Sequence, residues 1–130
     1  MRLLPLIAAL LLATPLAAQR VPEWRTAPEA DVLLRAFAYE PSTIRLRAGQ
    51  PVRLRFVNNG RATMSFSAPA FFRAARIRPR DAAALRGGAI RLAPGERITV
   101  ALVPAAGRYR VRSANVAHRL LGMSALILVE

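Results

Sequence analysis

Near the C-terminal end of the sequence, a serine and the single histidine lie five residues apart, at Ser113 and His118. A serine with a histidine as its base is the arrangement of a hydrolase nucleophile, and Asp31 or Asp81 would then orient the imidazole. No Gly-x-Ser-x-Gly turn surrounds Ser113, although such a turn presents the nucleophile in one large class of hydrolases. We therefore expect that the protein is not an enzyme.

Cysteine is absent and histidine occurs once in the 130 residues, which restricts metal and redox chemistry. Without cysteine the chain cannot form a disulfide framework, a zinc ribbon, an iron–sulfur cluster or a thiol nucleophile. A centre held by several histidines of this chain is excluded as well.

The charge is strongly positive, because 20 basic residues, all arginine, stand against 7 acidic ones, for a formal net charge of +13. An apolar fraction of 54% is too high for a disordered polycation. The arginines alternate with apolar residues, which predicts a solvated outer face shaped by a bias in composition. Attraction to an anionic membrane surface or to an acidic protein partner is the alternative. Nucleic acid is disfavoured because aromatics, the usual stacking partners of bases, make up only 6% of the chain.

The N-terminal segment has the pattern of a secretory signal peptide. Met1-Arg2 is a positive start, an apolar run reaches Ala13, and small residues continue to Ala18, after which we expect cleavage. The apolar run is well short of the ~20 residues that span a bilayer, which disfavours an uncleaved anchor. Arginine in place of lysine suggests a GC-rich bacterial genome, so we expect a periplasmic protein. Residues 19–30, with two prolines, are predicted to be an N-terminal arm.

The remainder, residues 31–130, is dominated by a period-two alternation of apolar and charged residues, which is typical of β-strands. It predicts an all-β domain, a Greek-key β-sandwich of seven or eight strands, with one or two short helical turns in 70–86. The continuously apolar run 124–129 is expected to be a strand buried on both faces. The predicted inner face consists of Ile44, Leu46, Val52, Leu54, Phe56, Ile90, Leu92, Val100, Leu102, Val111 and the 125–129 strand.

Five motifs in a fixed order resemble those of the cupredoxins. They are Ala38-Tyr39-Glu40-Pro41 with the following Ile44-Arg45-Leu46; Val57-Asn58-Asn59-Gly60 with Phe66-Ser67-Ala68-Pro69; Leu92-Ala93-Pro94-Gly95-Glu96; Gly107-Arg108-Tyr109; and the loop His118 with Gly122-Met123 before the last apolar run. The resemblance runs from about residue 31 to residue 130, which is nearly the whole of the predicted mature chain. It implies a cupredoxin-like fold for that domain.

The resemblance also implies where the family's copper ligands would fall. The first histidine falls on Met64, the cysteine on Ser113, the second histidine on His118 and the axial methionine on Met123. A serine hydroxyl is a hard, neutral donor and cannot replace the thiolate of a blue-copper site. Met64, His118 and Met123 remain as a Cu(I) site, since soft donors select the soft ion. In the alternative, both methionines are core packing and His118 is a structural loop histidine.

These alternatives lead to two functional predictions. In the first, the protein binds copper in the periplasm and handles it by storage or delivery rather than by blue-copper electron transfer. In the second, it is a metal-free cupredoxin-like binding or structural module that acts through its arginine-rich surface. The candidate metal site is expected at one end of the sandwich, where the loops 57–68 and 113–123 should converge and His118 should lie nearest to solvent.

Overall fold

A computed structural model describes residues 21–130 of the chain. The predicted signal peptide, residues 1–18, lies outside the described residues. Those residues form ten strands, two short α-helices and a 3₁₀ helix: β1 (Glu29–Arg35), β2 (Ala38–Glu40), β3 (Thr43–Leu46), β4 (Val52–Asn58), β5 (Met64–Ser67), α1 (Pro69–Ala74), β6 (Arg76–Ile77), the 3₁₀ helix (Pro79–Ala84), β7 (Ala89–Leu92), β8 (Arg97–Val103), β9 (Gly107–Arg112), α2 (Val116–Leu120) and β10 (Ser124–Val129). No helix of this part of the chain is long and apolar enough to cross a membrane.

The strands form two five-stranded sheets. Sheet A has the order β2-β1-β4-β8-β6, and sheet B has the order β3-β10-β9-β5-β7. In sheet A, β4 pairs with β1 in parallel and with β8 in antiparallel orientation. In sheet B, β10 lies between a parallel β3 and an antiparallel β9. The predicted β-sandwich is confirmed, and the described residues contain more strands than the seven or eight expected because β2 and β6 are too short to show a pattern.

The alternation of side chains places the predicted residues in the core. In β4, every second residue from Val52 to Phe56 is buried, and the arginines between them are half-buried. Of the predicted inner-face residues outside the last strand, only Leu46 is half-buried rather than buried. In β10, Ile127 and Val129 are buried, but Leu126 and Leu128 are half-buried. The expectation that the last strand is buried on both faces was therefore wrong, because the described residues cover its outer side only in part.

The predicted helical turns in 70–86 are confirmed as α1 and the 3₁₀ helix. Each begins at a proline, whose fixed φ suits the first turn of a helix. The 3₁₀ helix carries a buried carboxylate, Asp81. This carboxylate accepts the backbone N–H of Ala101 at 2.9 Å and the Nε–H of Arg78 at 2.7 Å. Asp81 thereby attaches the 3₁₀ helix to strand β8.

Replacing Asp81 by Ala should destabilise the fold by about 3 kcal/mol, because it leaves the N–H of Ala101 and the guanidinium of Arg78 without their buried partner. Denaturant titration of both proteins measures the loss. The matched control is Asp31→Ala, which removes the solvent-exposed ion pair with Arg55 and should have a much smaller effect. Equal losses in the two variants would contradict the role of Asp81.

Candidate functional site

Three of the four predicted positions lie on adjacent strands at one end of sheet B. Met64 is the first residue of β5, Ser113 follows β9 directly, and Met123 directly precedes β10. Because Ser124 pairs with Arg112, the register continued by one residue places Met123 opposite Ser113. All three are buried, with exposed fractions of 4%, 2% and 1% for Met64, Ser113 and Met123.

His118 lies on the short helix α2, between β9 and β10. Asn115 caps the helix, since its Oδ1 accepts the backbone N–H groups of Ala117 and His118. At the other end, the backbone carbonyl of His118 accepts the N–H of Met123 at 3.1 Å. This bond connects the helix that carries His118 to the residue that begins the last strand, so the two candidate ligands are held in one compact turn.

The His118 side chain is half-buried, and its ring lies edge-on to Phe37 with the centroids 5.7 Å apart. Its Nδ1 atom is buried and has no hydrogen-bond partner among residues 21–130. A buried polar atom without a partner loses its hydration without compensation, so such atoms are rare in folded proteins. A neutral imidazole nitrogen with a free lone pair can coordinate a metal ion.

Ser113 is part of a small buried polar cluster. Its Oγ lies 3.4 Å from Oγ of Ser65 and accepts the N–H of Asn115 at 3.2 Å. Oγ of Ser65 also accepts the N–H of Ala114 at 2.6 Å, and the Tyr39 hydroxyl donates to the Ser65 carbonyl. Burial raises the pKa of Tyr39, an effect that the Ser113 hydroxyl partly opposes. The phenol therefore stays protonated and remains a donor.

The loop before β5 is built closely around Met64. The buried Asn58 side chain donates to the carbonyls of Ala62 and Leu92, and its Oδ1 accepts the N–H of Gly60. A Cβ atom at position 60 would lie 2.3 Å from the terminal methyl of Met64. Glycine at this position leaves the space that the thioether side chain fills. The loops 57–68 and 113–123 do converge, through the contact of Ser65 with Ser113.

The hydrolase alternative has no assembled triad. Among the described residues, no hydrogen bond joins the Ser113 hydroxyl to His118. Asp31 is bound to Arg55 at 2.8 Å, and this hydrogen bond lowers the pKa of the Asp31 carboxyl. Asp81 is engaged by Arg78. Neither carboxylate is placed to orient the imidazole.

The donor set decides which metal fits. Residues 21–130 contain no group of three or more His, Cys, Asp or Glu side chains that could hold a metal ion. Zinc sites use just such ligands, and calcium or magnesium sites need several oxygen ligands. A site at this end of sheet B would instead use the imidazole of His118 with the thioethers of Met64 and Met123, a set that fits Cu(I).

Comparison with known proteins identifies the fold. No protein-family model matches the sequence, and no curated protein is significantly similar to it. Among solved structures, a reduced auracyanin from the photosynthetic bacterium Roseiflexus castenholzii is 19% identical at a TM-score of 0.57, over 81% of this chain and 98% of that one. Auracyanin A, a "blue" copper protein from Chloroflexus aurantiacus, is 21% identical at a TM-score of 0.55, over 80% of this chain and 100% of that one. The chain has a cupredoxin-like fold.

A multicopper oxidase from Campylobacter jejuni also matches, at 10% identity and a TM-score of 0.60. It aligns with 85% of this chain but only 30% of its own length, so the cupredoxin-like fold corresponds to one part of that larger protein. The resemblance that the five sequence motifs indicated is therefore confirmed at the level of the fold.

Sequence reasoning missed several residues that surround the predicted positions. Tyr39 lies in the opening motif and Ser65 adjoins Met64, yet neither was expected to belong to the polar cluster around Ser113. No pattern in the sequence indicated either contact. Phe37 contacts the His118 ring and has a positive φ of 62°. No sequence pattern indicated this backbone conformation.

Proposed function

We propose that this chain is an exported protein that binds Cu(I) through Met64, His118 and Met123 and takes part in periplasmic copper handling, by storage or delivery. The observation that carries the proposal is the buried Nδ1 atom of His118, which has no hydrogen-bond partner in the described residues. The helix that bears it is bonded directly to the backbone of Met123. Export is supported by the signal-like pattern of residues 1–18.

The oxidation state follows from the donors. Two thioethers and one imidazole are soft or borderline donors, which favour Cu(I) over harder divalent ions. All three are neutral, and among the described residues no carboxylate joins them in a metal-binding group. The smaller charge of Cu(I) is therefore less costly to bury here than that of Cu(II). Delivery or storage of Cu(I) suits such a site better than electron transfer does.

The serine at position 113 argues against a blue-copper centre. Its hydroxyl is neutral and is engaged by Ser65 and by the N–H of Asn115. Intense blue absorption arises from thiolate bound to Cu(II), and the sequence has no cysteine. We expect Cu(II) added to the protein to give no such band. An intense thiolate-type band in the natural protein would contradict this ligand assignment.

Anaerobic competition with a chromophoric Cu(I) chelator should show that Met64→Leu, His118→Gln and Met123→Leu each bind Cu(I) at least roughly tenfold more weakly than the natural protein. Even partners in the outer shell of a metal site contribute about that much. Leucine keeps the volume of methionine and removes only the thioether. Val116→Ala, an exposed change on the same helix α2, is the matched control and should leave the affinity unchanged.

Negligible Cu(I) affinity in the natural protein would contradict the proposal. The second candidate function, a metal-free binding module, would then be favoured. One observation supports it already: Met64 and Met123 both belong to the hydrophobic core of the sandwich, where methionine is a common packing residue.

A further inference from the structure

The charges of this protein are distributed very unequally over the two sheets. All four ion pairs of the described residues lie on strands or loops of the sheet A side. They are Arg53–Glu29 at 3.9 Å, Arg55–Asp31 at 2.8 Å, Arg35–Glu40 at 2.9 Å and Arg78–Asp81 at 2.7 Å. Glu29 and Asp31 of β1 meet the arginines of β4 because the two strands pair in parallel with these residues opposite one another. Sheet A therefore neutralises much of its own positive charge.

The outer side of sheet B has no such compensation. It presents five exposed arginines, which we call the sheet B arginine face: Arg45, Arg91, Arg108, Arg110 and Arg112. None of the five forms an ion pair within residues 21–130. The strands of sheet B contain no Asp or Glu. Acidic residues at its border are Glu130, which follows β10, and Glu96, whose carboxylate accepts the N–H of Ala93 directly after β7.

The strand register places two leucines among these arginines. In the pairing of β10 with its neighbours, Leu128 lies between Arg108 and Arg45, and Leu126 lies next to Arg110. Both leucines are half-buried, so part of each side chain reaches the surface. Neighbouring strands are ~4.8 Å apart, and alternate residues of one strand are ~6.8 Å apart. The arginines and leucines on the outer side of β3, β10 and β9 therefore form a dense array. A shallow groove of about 540 Å³ runs between the arginines of β9 and Leu126.

We propose that the sheet B arginine face binds the surface of an anionic phospholipid bilayer. A leaflet presents many phosphates in one plane, and each guanidinium can pair with a phosphate through two parallel hydrogen bonds. Each arginine near such a surface contributes to adsorption, and the apolar tips of Leu126 and Leu128 can rest against the headgroup layer. An open face of one sign fits a continuous array of phosphates better than the discrete carboxylates of an acidic protein.

This inference does not depend on copper binding, because the arginine face uses none of the candidate metal ligands. The neutralised sheet A would face away from the membrane. The end of the sandwich that carries His118 would then lie beside the bilayer rather than against it, since α2 lies at the strand ends of sheet B and not on its outer side.

The test is cosedimentation of the metal-free protein with vesicles of phosphatidylglycerol and phosphatidylcholine in equal parts. We expect binding at low salt that falls steeply as salt is raised, and none to vesicles of phosphatidylcholine alone. The triple variant Arg108→Gln, Arg110→Gln, Arg112→Gln should bind the anionic vesicles roughly 100-fold more weakly, since each arginine contributes about a fivefold factor. Circular dichroism verifies that this variant, altered only at exposed positions, is folded.

The matched control removes the same charge elsewhere, in the triple variant Arg73→Gln, Arg80→Gln, Arg97→Gln. These exposed arginines lie on α1, the 3₁₀ helix and β8, outside the sheet B arginine face. The control should bind nearly as well as the natural protein. An equal loss in both triple variants would overturn the proposal in favour of a general charge effect. Binding to soluble polyglutamate without binding to anionic vesicles would overturn it in favour of an acidic protein partner.

Discussion

The double variant Met64→His, Ser113→Cys should bind Cu(II) with an intense visible absorption that the natural protein lacks. Together with His118 and Met123 it would supply two imidazoles, one thiolate and one thioether, which is the donor set of a blue-copper site. The expected effect is qualitative, from no thiolate-to-copper band to a strong one. Visible absorption and electron paramagnetic resonance of the Cu(II)-loaded variant measure it directly.

The structure offers reasons why both substitutions should be accepted. Ser113 is 2% exposed and its Oγ already accepts the N–H of Asn115, a bond that a thiolate at the same position could also accept. Met64 occupies a pocket that Gly60 keeps open, so a shorter imidazole at position 64 meets no steric obstacle from that loop. Neither change touches the helix that carries His118.

The matched control for this prediction is Met64→His, Ser67→Cys. Ser67 is a half-buried residue of the same strand β5, but it pairs with Arg112 and Ala89, away from the strand end that carries Met64. Its thiolate would have no copper imidazoles beside it, and no intense band is expected. A folded Met64→His, Ser113→Cys variant without the band would show that these residues do not occupy ligand positions.

Much of the fold could be predicted because, in a strand with one buried face, apolar and polar residues alternate along the sequence. In β4, the residues Val52, Leu54 and Phe56 are buried and Arg53 and Arg55 are not, as the pattern indicated. Strands of two or three residues, such as β6 and β2, are too short for any period to show. The prediction that β10 is buried on both faces was wrong for another reason. Leu126 is apolar but only half-buried, and no local sequence pattern indicates this.

The site was less predictable because its contacts join distant parts of the chain. The motif order identified Met64, Ser113, His118 and Met123 as candidate positions, but not what surrounds them. Ser65 and Ser113 are 48 residues apart in sequence, and Tyr39 is 26 residues from Ser65. Such contacts depend on how β5 and β9 pair.

The net charge shows the same limit of sequence reasoning. The total of +13 is a property of composition, whereas its uneven distribution depends on strand pairing. Parallel pairing of β1 with β4 brings Asp31 to Arg55. In the described residues, the partners of the β9 arginines on strand β10 are leucine and serine, not acidic residues. The alternation predicted a solvated arginine surface overall. In the structure, acidic residues compensate much of the positive charge of sheet A, whereas the sheet B arginine face is uncompensated.

Replacing Leu54 by Ala should destabilise the protein by about 2–5 kcal/mol, the range for a fully buried leucine. Leu54 is 0% exposed and lies on β4, the central strand of sheet A, opposite Val100 of β8 and Ala30 of β1. With neighbours on both sides, the backbone has little freedom to close the cavity that the substitution leaves. Reversible denaturant unfolding followed by fluorescence or circular dichroism measures the change in the free energy of unfolding.

The matched control is Leu120→Ala, which removes the same atoms from a side chain that is 82% exposed on α2. Its effect should stay within about 0.5 kcal/mol, as for most surface substitutions. A loss below about 0.5 kcal/mol for Leu54→Ala would mean that the inner face of β4 is assigned to the wrong set of residues. The same reversal would turn Arg53 and Arg55 inward and separate them from Glu29 and Asp31, so the stability of this one variant also tests the charge compensation of sheet A.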